Sequence, residues 1–381
     1  MKIAFLADSF LYDESTGVNG TQVQMYHLAG ALARKGLDVH YVSFTRRWRR
    51  ANEDVDGITM HWIPYRKAPF DWVRDLVVSQ RALDAIAPDV VYQRGRSHLT
   101  YAAARWARRN GKKFVWASNG EDSAEFWKQT KRVRRSARPL WRKLLLYPYM
   151  LVPDILIHRG VHGCDAAINQ TEHQRRRLRE NFAKEGTVLP SYFPPPAPGT
   201  KSGKEKTVLW LANLSRSKQP EIFLDLAEHA RDCDGWTFVL GGGTADRGYG
   251  ATLAQRAQGL GNVKMIGGVP FAETGDLFAK ASLFVNTSIM EAEGLPNAFI
   301  QAWHHGTPVL SLNHDPNGWI EDRGLGFCAH GDDAAFLGRG RDLLADRDAL
   351  RSMGEKCEIF ARDQFGGDDI VDAYLELFSG R

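Results

Sequence analysis

One stretch of the second half of the chain has the residue types needed to bind a phosphate group. Glu293 stands directly before a predicted helix start, Gln301 follows eight residues later, and Gly306 ends the helix. The first backbone N–H groups of a helix have no partner inside it and carry partial positive charge, so they can bind an anion. At about 1.5 Å per residue, Gln301 would lie roughly 8 Å along the helix axis from Pro296, a plausible separation of a phosphate from a ribose. The backbone groups at this start belong to Gly294, Leu295, Pro296, Asn297 and Ala298.

A second group supplies positive charge. Arg216 and Lys218 lie in the loop that follows an apolar run at 207–212, and Pro220 begins the next predicted helix. Cations beside a helix N-terminus can together stabilise the negative charge of a phosphate group. These two residues are therefore candidates for that role, the alternative being surface cations without a ligand.

Two glycine-containing loops follow other predicted strands. Gly241 and Gly242 follow the strand at 237–240 and would allow a nucleotide to approach the backbone closely. Asn19 and Gly20 precede a predicted helix at 21–34. Neither loop has the glycine spacing of a dinucleotide fingerprint, which argues against an NAD-dependent oxidoreductase.

Polar residues also follow the predicted strands of the first half. The segments 89–92 and 113–117 are apolar enough for buried strands, and ligands bind at the carboxyl ends of such strands. Candidate acceptor- or sugar-binding residues there are Arg94, Asn119, Glu121 and Asp122. The alternative is that they are solvated loop residues.

The helix-start stretch resembles the signature of the retaining glycosyltransferases of family 4. That signature is a Glu, seven residues and a second Glu around a Gly-hydrophobe-Pro-Asn helix start. Here Glu293 precedes GLPNAFI and Gln301, so an amide replaces the second acid. In the family the first acid contacts the donor sugar and the second binds the ribose hydroxyls, which implies those roles for Glu293 and Gln301.

The resemblance continues in two further loops. The family has an Arg and, five residues later, a Lys after the first strand of its second domain. Asn213 and Lys218 hold those positions, and Arg216 is the nearby cation. The family also has two glycines eight residues before a Leu-Ala pair, where this chain has Asn19 and Gly20.

The resemblance implies an α/β protein of the GT-B fold, with two Rossmann-like doubly wound domains that face a central cleft. It implies front-face transfer of a sugar with retention of configuration and with no metal or other cofactor. Arg216 and Lys218 would stabilise the departing phosphate, and Glu293 would position the sugar. An epimerase or hydrolase of nucleotide sugars with the same fold, and a non-catalytic membrane-surface module, remain alternatives.

The predicted elements divide into two domains. Alternating strands and helices favour parallel sheets with crossover connections in both halves. A segment rich in Pro, Gly, Ser and Lys separates them as a linker. The predicted division is an acceptor-binding domain at 1–190, a linker at 191–206, a nucleotide-sugar-binding domain at 207–365 and a helix at 366–381 that, by the resemblance, returns to the first domain.

A basic and apolar stretch at 126–151 is the other unusual feature. Eight of its positions from Lys128 to Lys143 are Lys or Arg, and Leu, Tyr and Met side chains follow. This composition favours an anionic membrane surface or a lipid-linked acceptor, with a solvated basic face or an RNA-binding patch as alternatives. No RNA-binding motif accompanies it, so we expect no nucleic acid. Pro139 and Pro148 predict two short helices.

Composition limits the remaining possibilities. The 381 residues carry a net charge of +5, with an excess of basic residues in the first half. The amino-terminal residues do not form a signal peptide, there is no run of about 18 apolar residues, and four widely spaced cysteines fit a reducing compartment. We therefore expect a cytoplasmic protein that is peripheral to the membrane. The resemblance implies that its donor is a UDP-, GDP- or ADP-sugar. An Asp-Val-Asp at 54–56 is predicted to be a turn rather than a metal site.

Overall fold

The chain forms two compact units. The computed structural model describes residues 1–13, 20–47, 52–66, 70–136, 138–196, 203–289 and 294–380. The first unit contains Met1–Phe193 and Asp368–Arg381, and the second contains Pro194–Gly367. Residues 197–202 of the predicted linker lie outside the described ranges.

Within the described residues, eight strands form the sheet of the first unit in the order β3-β4-β2-β1-β5-β6-β7-β8. All neighbours are parallel except β3 and β4. The strands are β1 (Lys2–Ala7), β2 (Asp38–Thr45), β3 (Asn52–Val55), β4 (Ile58–Pro64), β5 (Val90–Arg94), β6 (Lys113–Ala117), β7 (Ala166–Asn169) and β8 (Thr187–Val188). The helices are α1 (Gly20–Arg34), α2 (Asp71–Ile86), α3 (His98–Asn110), α4 (Lys128–Arg135), α5 (Leu140–His162), α6 (Glu172–Phe182) and α14 (Asp368–Ser379).

Helices cover both faces of this sheet because its central strands are apolar on both sides. Alternate residues of a strand point to opposite faces. In β1, Ile3 and Phe5 pack with α1 and α14, whereas Ala4 and Leu6 pack with α2, α3 and α6. Apolar residues in consecutive positions are typical of a buried parallel strand.

In the second unit the described residues include six parallel strands in the order β11-β10-β9-β12-β13-β14. They are β9 (Thr207–Leu211), β10 (Thr237–Gly241), β11 (Val263–Gly267), β12 (Leu283–Asn286), β13 (Val309–Ser311) and β14 (Gly326–Cys328). The helices are α7 (Pro220–His229), α8 (Arg247–Leu260), α9 (Phe271–Lys280), α10 (Asn297–His304), α11 (Trp319–Asp322), α12 (Asp333–Ala345) and α13 (Arg347–Phe365).

The carboxyl-terminal helix α14 is part of the first unit although it follows the second unit in the chain. Ile370, Val371, Tyr374 and Phe378 are buried in the core that contains β1 and α1. The Tyr374 hydroxyl donates to the carbonyl oxygen of Pro190 at 3.3 Å.

Two predicted features of local structure are wrong. Asp54 is not in a turn but in β3, which pairs with β4 in register Val55–Ile58. The turn consists of Asp56 and Gly57, both with positive φ (54° and 78°), as a two-residue hairpin requires. The polar sequence of β3 explains why the strand was not predicted, since an edge strand needs no apolar face.

The second error concerns the prolines of the basic stretch. Pro139 does precede a helix, but Pro148 lies inside α5 and does not break it. Proline removes the N–H that would bond to the carbonyl of Leu144. Leu144 is exposed, so water can satisfy that carbonyl, while packing holds the other face of the helix. An added Cβ at Gly160 would lie only 2.6 Å from the Thr100 backbone, which shows how closely α5 approaches α3.

Candidate functional site

The predicted phosphate-binding loops emerge next to each other in the second unit. Its strand order reverses at the adjacent pair β9 and β12: β10 and β11 lie on one side, and β13 and β14 on the other. Doubly wound sheets bind ligands at this reversal, beyond the carboxyl ends of the strands. The loop after β9 contains Arg216 and Lys218, and the loop after β12 leads to α10.

Thr287, the residue after β12, connects these loops. Its hydroxyl donates to the carbonyl oxygen of Lys218 at 2.7 Å and accepts from the indole Nε1 of Trp210 at 2.9 Å. The backbone N–H of Ile289 also donates to the carbonyl oxygen of Ser217 at 3.0 Å. Trp210 and Thr287 are buried, so the Lys218 backbone is held in a fixed place beside β12.

Lys218 is in an environment that disfavours its charge. Burial lowers the pKa of its ammonium group from the usual value to about 8. A nearby diphosphate would favour the charged form and raise the pKa again. The residue can therefore change its charge in response to an anionic ligand.

Arg216 is exposed and lies towards a different neighbour. Its guanidinium carbon is 5.0 Å from the centre of the Tyr249 ring on α8, a cation–π contact. The Tyr249 hydroxyl donates to the carboxylate of Glu221. The two predicted cations thus lie in one loop but contact different neighbours: Thr287 binds the Lys218 backbone, and the Tyr249 ring contacts the Arg216 side chain.

The Gly241–Gly242 turn joins three neighbouring strands at their carboxyl ends. The N–H of Gly242 donates to the carbonyl oxygen of Gly267 at 2.7 Å. Its φ of 152° and the position of Ala212, whose carbonyl oxygen would lie 1.8 Å from an added Cβ, exclude any larger residue. This glycine is required by strand packing, whatever its part in nucleotide binding.

The start of α10 is fixed from the neighbouring loop. Gly294, Leu295 and Pro296 are buried, and Pro296 is the N-cap residue. Proline has no side-chain acceptor for the first-turn N–H groups of the helix. The carbonyl oxygen of Gly294 accepts from Nε2 of His314, which follows β13. Asn297 and Ala298 begin the helix itself and are partly exposed.

Gln301 lies on α10 with its amide oxygen towards α9. That oxygen accepts from the hydroxyl of Thr274 at 2.7 Å, and its Nε2 lies 3.5 Å from the carbonyl oxygen of Asn297. The Thr274 contact orients the side chain within the unit. A ribose-binding role for Gln301 stays a prediction.

Two predicted site residues, Asn19 and Glu293, lie outside the described residues. Gly20, next to the first of them, begins α1, and Gly294, next to the second, begins the described segment that leads into α10. Their predicted roles depend on the sequence alone.

In the first unit, Arg94 lies in the interior at the end of β5. It is only 4% exposed, and its Nη1 donates to the Tyr92 hydroxyl at 3.2 Å. Burial by itself would lower the pKa of the Arg94 guanidinium. The neighbouring Tyr92 and Tyr374 hydroxyls outweigh this effect and raise the pKa above its usual value. Arg94 thus links β5 with α14, and this burial was not foreseen in its predicted acceptor-binding role.

Glu121 is also buried, beyond the end of β6. Its Oε1 accepts from the Thr171 hydroxyl at 3.1 Å, and its Oε2 lies 3.7 Å from Nε2 of His173. Burial raises the pKa of this carboxyl to about 7. A carboxyl group with this pKa can either accept or donate a hydrogen bond near neutral pH.

The other two predicted acceptor residues flank Glu121 and are partly exposed. The backbone N–H of Asn119 donates to the Ser123 hydroxyl at 2.9 Å. Asp122 pairs with Lys128, the first residue of α4, and its carbonyl oxygen accepts from Arg96 at 2.8 Å. The structure therefore brings Asn119, Glu121 and Asp122 together beyond the end of β6.

Sequence reasoning missed the residues that support these groups. Thr287 and His314 belong to no motif, although each follows a predicted strand closely in the chain. Their position after β12 and β13 is the signal that could have identified them, because side chains at that edge of the sheet contact the adjacent loops.

Two family models match the chain. Residues 18–191 match Glycosyltransferase Family 4, and residues 205–346 match Glycosyl transferases group 1. An uncharacterized glycosyltransferase of Haemophilus influenzae is 22% identical over 371 residues, covering 93% of this chain and 95% of that protein. The lipopolysaccharide core biosynthesis glycosyltransferase LpsE of Rhizobium meliloti is 28% identical over 111 residues, which are 29% of this chain and 32% of that protein.

Solved structures share the fold at low sequence identity. Anabaena Alr3699/HepE in complex with UDP has a TM-score of 0.70 and 16% identity over 100% of both chains. WaaG, a glycosyltransferase involved in lipopolysaccharide biosynthesis, has a TM-score of 0.71 and 15% sequence identity over 100% of both chains. The catalytic domain of Arabidopsis thaliana starch synthase IV, bound to ADP and acarbose, has a TM-score of 0.72 and 13% sequence identity. The match covers 99% of this chain and 98% of that one. The predicted fold class, two Rossmann-like domains of GT-B type, is confirmed.

Proposed function

We propose that this chain, which has the GT-B fold, is a glycosyltransferase that transfers a hexose-type sugar from a nucleoside diphosphate sugar to a glycan or lipid-linked acceptor. The transfer retains the anomeric configuration, needs no metal ion and takes place at the cytoplasmic face of a membrane. The observation that supports this proposal best is the connection of the Lys218 loop to the loop after β12 through Thr287. This connection holds the backbone of Lys218 next to β12, one of the two strands at which the strand order reverses, and so supports a role for Lys218 in binding the phosphates.

The proposed step uses the donor's own phosphate as base. An acceptor hydroxyl oxygen attacks the anomeric carbon on the face from which the diphosphate departs. The bond between that carbon and the phosphate oxygen breaks, and the hydroxyl proton passes to the departing phosphate. Lys218, Arg216 and the N-terminus of α10 stabilise the released negative charge, and Glu293 positions the sugar.

Donor choice is the first test. We expect one of the UDP-, GDP- and ADP-sugars to raise the unfolding temperature of the protein, since a ligand that binds the folded state stabilises it. UDP and ADP are bound in the similar structures named above, which makes them the first choices. The proposal would be contradicted if none of these nucleotide sugars shifted the unfolding temperature, either with or without a divalent metal ion.

Acceptor dependence separates a transferase from its rivals. With the stabilising donor, release of the nucleoside diphosphate should increase when a glycan or lipid-linked acceptor is added, and the new glycosidic bond should keep the anomeric configuration of the donor. Equal release without acceptor would favour a hydrolase or epimerase. Activity lost with a chelator and restored by a divalent ion would contradict metal independence.

A further inference from the structure

The helices α4 and α5 present an apolar surface that no described residue covers. Leu140, Trp141, Leu144 and Leu145 are 73%, 58%, 67% and 68% exposed. Residues one turn apart lie on the same face of a helix, so these four side chains form a single stripe along the first half of α5. Exposed side chains of this size in one continuous patch mark an interaction surface.

A neighbouring helix widens this surface. The ring of Phe70, just before α2, lies 5.4 Å from that of Tyr149 on α5, in an edge-to-face contact. Phe70 is exposed, and so are Val73 and Val77 on the next turns of α2. The apolar patch therefore extends from α5 to the first half of α2.

Basic side chains surround the apolar stripe, and acidic ones are absent from the sequence between 126 and 153. Exposed arginines flank the start of α5 on both sides, at Arg132, Arg134, Arg135, Arg138 and Arg142. A second copy of this chain would bring like charges together. Surfaces that bind single-stranded RNA stack its bases on aromatic rings, whereas three of the four side chains of this stripe are leucines. The charge and the aliphatic side chains together fit an anionic lipid surface.

A groove between α4 and α5 has the chemistry of a phosphate head group. Its volume is about 200 Å³. It is lined by Thr130, Lys131 and Arg134 of α4, by Trp127 just before α4, and by Tyr147 and Leu151 of α5. Pockets that enclose drug-sized ligands measure roughly 300–1,000 Å³, so this groove suits a head group rather than a whole lipid. Of the two α5 residues that line the groove, Tyr147 is exposed and Leu151 is half-buried.

Both helices are held firmly in the unit. Buried Asp154 of α5 accepts hydrogen bonds from the backbone N–H groups of Gln129 and Thr130 and from the Thr130 hydroxyl, at 2.9–3.1 Å. A carboxylate at a helix N-terminus stabilises it. The groove is therefore a formed feature whose two walls are joined.

We propose that the α4–α5 surface is a docking site for an anionic phospholipid membrane. The phosphate of one lipid head group binds in the groove between Lys131 and Arg134, and Leu140, Trp141, Leu144 and Leu145 enter the acyl region beside it. No helix of the described residues is long and apolar enough to cross a membrane. This inference rests on the proposed function only for the location of the acceptor, because lipid binding needs no nucleotide sugar.

Vesicle sedimentation of the whole chain tests the inference. The vesicles contain phosphatidylcholine alone or phosphatidylcholine with phosphatidylglycerol, and no donor is present. We expect wild-type protein to bind the phosphatidylglycerol vesicles at least about tenfold more tightly, with binding weakened by salt. Lys131→Gln with Arg134→Gln should abolish most of that preference, and Leu144→Gln with Leu145→Gln should weaken binding to both vesicles.

Removal of the same charge elsewhere is the control. Arg105→Gln with Arg108→Gln removes two exposed charges from α3 and should leave vesicle binding unchanged. Bromine-labelled acyl chains should quench tryptophan fluorescence in wild-type protein and much less in Trp141→Phe. The inference would be overturned if the α3 control lost as much vesicle binding as Lys131→Gln with Arg134→Gln, or if Trp141→Phe were quenched as strongly as wild-type protein. It would also be overturned if wild-type protein showed no preference for phosphatidylglycerol vesicles. Donor-induced thermal stabilisation, measured without vesicles, tests the proposed function separately.

Discussion

The charge of Lys218 is the residue-scale property with the clearest functional consequence. Burial depresses its pKa to about 8, so the ammonium is charged at neutral pH and loses its proton as the pH rises through that value. The terminal phosphate of a nucleoside diphosphate is already ionised above about pH 7. We therefore expect the affinity for the stabilising nucleoside diphosphate to fall between about pH 7 and pH 9.5, as measured by calorimetry.

Two substitutions test this assignment. Lys218→Ala should weaken nucleoside diphosphate binding and lower turnover by at least about tenfold, because one charge no longer faces the leaving group. Lys218→Arg keeps a charge that does not titrate in this range, so its affinity should not fall above pH 8. Unchanged turnover in Lys218→Ala would remove this residue from the site.

Glu121 gives a second residue-scale prediction, because burial raises its pKa whereas burial lowers the pKa of Lys218. A carboxyl whose pKa rises to about 7 in the folded state binds its proton more tightly there, so folding stability decreases as the pH rises from about 4.5 to about 7. The loss of folding stability is at most about 3.5 kcal/mol, for a shift of about 2.5 pKa units at ~1.4 kcal/mol per unit. Glu121→Gln should raise the unfolding temperature at about pH 8 and change it little at about pH 5.

The neighbouring carboxylate is the matched control for Glu121. Asp122 is partly exposed and pairs with Lys128, so Asp122→Asn should not stabilise the protein at high pH. If Glu121→Gln gave the same unfolding temperature as wild type at about pH 8, the carboxyl would not carry the burial cost described.

Residue types and spacing could predict which loops form the candidate site but not how each side chain is supported. Lys218 was identified by its position after β9. The burial of Arg94 could not be predicted from the sequence, because it depends on Tyr374, which lies 280 positions later in the chain. The role of Thr287 likewise arises only when the register of β9 and β12 is known.

At the scale of elements, α4 depends on a contact from another helix. Its N-cap residue, Trp127, has no side-chain acceptor, and Asp154 of α5 supplies one instead. Asp154→Ala should cost about 3 kcal/mol, since it removes charge-assisted hydrogen bonds from buried donors. The amides of α4 should then lose protection in hydrogen exchange before those of α3.

A cap in the other unit provides the comparison. Asp246 caps α8 from its own N-cap position, with a hydrogen bond from the Tyr249 N–H at 3.0 Å. Asp246→Ala should affect exchange in α8 and leave α4 protected. Equal protection of α4 in wild type and Asp154→Ala would show that the apolar contacts of Val133 hold this helix without the carboxylate.

Most buried elements could be predicted from sequence because burial leaves a pattern. The bounds of β6 agree with the apolar run predicted at 113–117, and Gly111 ends α3 with a positive φ of 59°. The errors occur where tertiary structure outweighs local preference. The strand β3 forms because β4 supplies a partner, and α5 continues through Pro148 because α3 holds its second half.

At the scale of the whole molecule, the charge asymmetry of the sequence has a structural counterpart. The first half of the chain carries the excess of Lys and Arg, and a large share of it is concentrated on α4 and the start of α5. The sequence could indicate the density of charge but not the apolar stripe beside it, since helical phase depends on α5 continuing through its prolines. The second unit begins at Pro194, within the segment rich in Pro, Gly, Ser and Lys.

The helix α14 makes the first unit depend on the end of the chain. Removal of residues 367–381 would expose the apolar sites now covered by Ile370, Val371, Tyr374 and Phe378. At about 1.5–3 kcal/mol for each buried side chain, the loss is comparable with the ~5–15 kcal/mol that stabilises a typical domain. We expect the truncated chain to show two transitions in urea, with the first unit unfolding at a much lower urea concentration and the second unit unfolding at an unchanged concentration.

A synthetic peptide of residues 366–381 should restore the first transition to its original urea concentration, whereas a peptide with Val371→Asp and Phe378→Asp should not. A truncated chain that unfolds at the wild-type urea concentration would show that the first unit is stable without this helix.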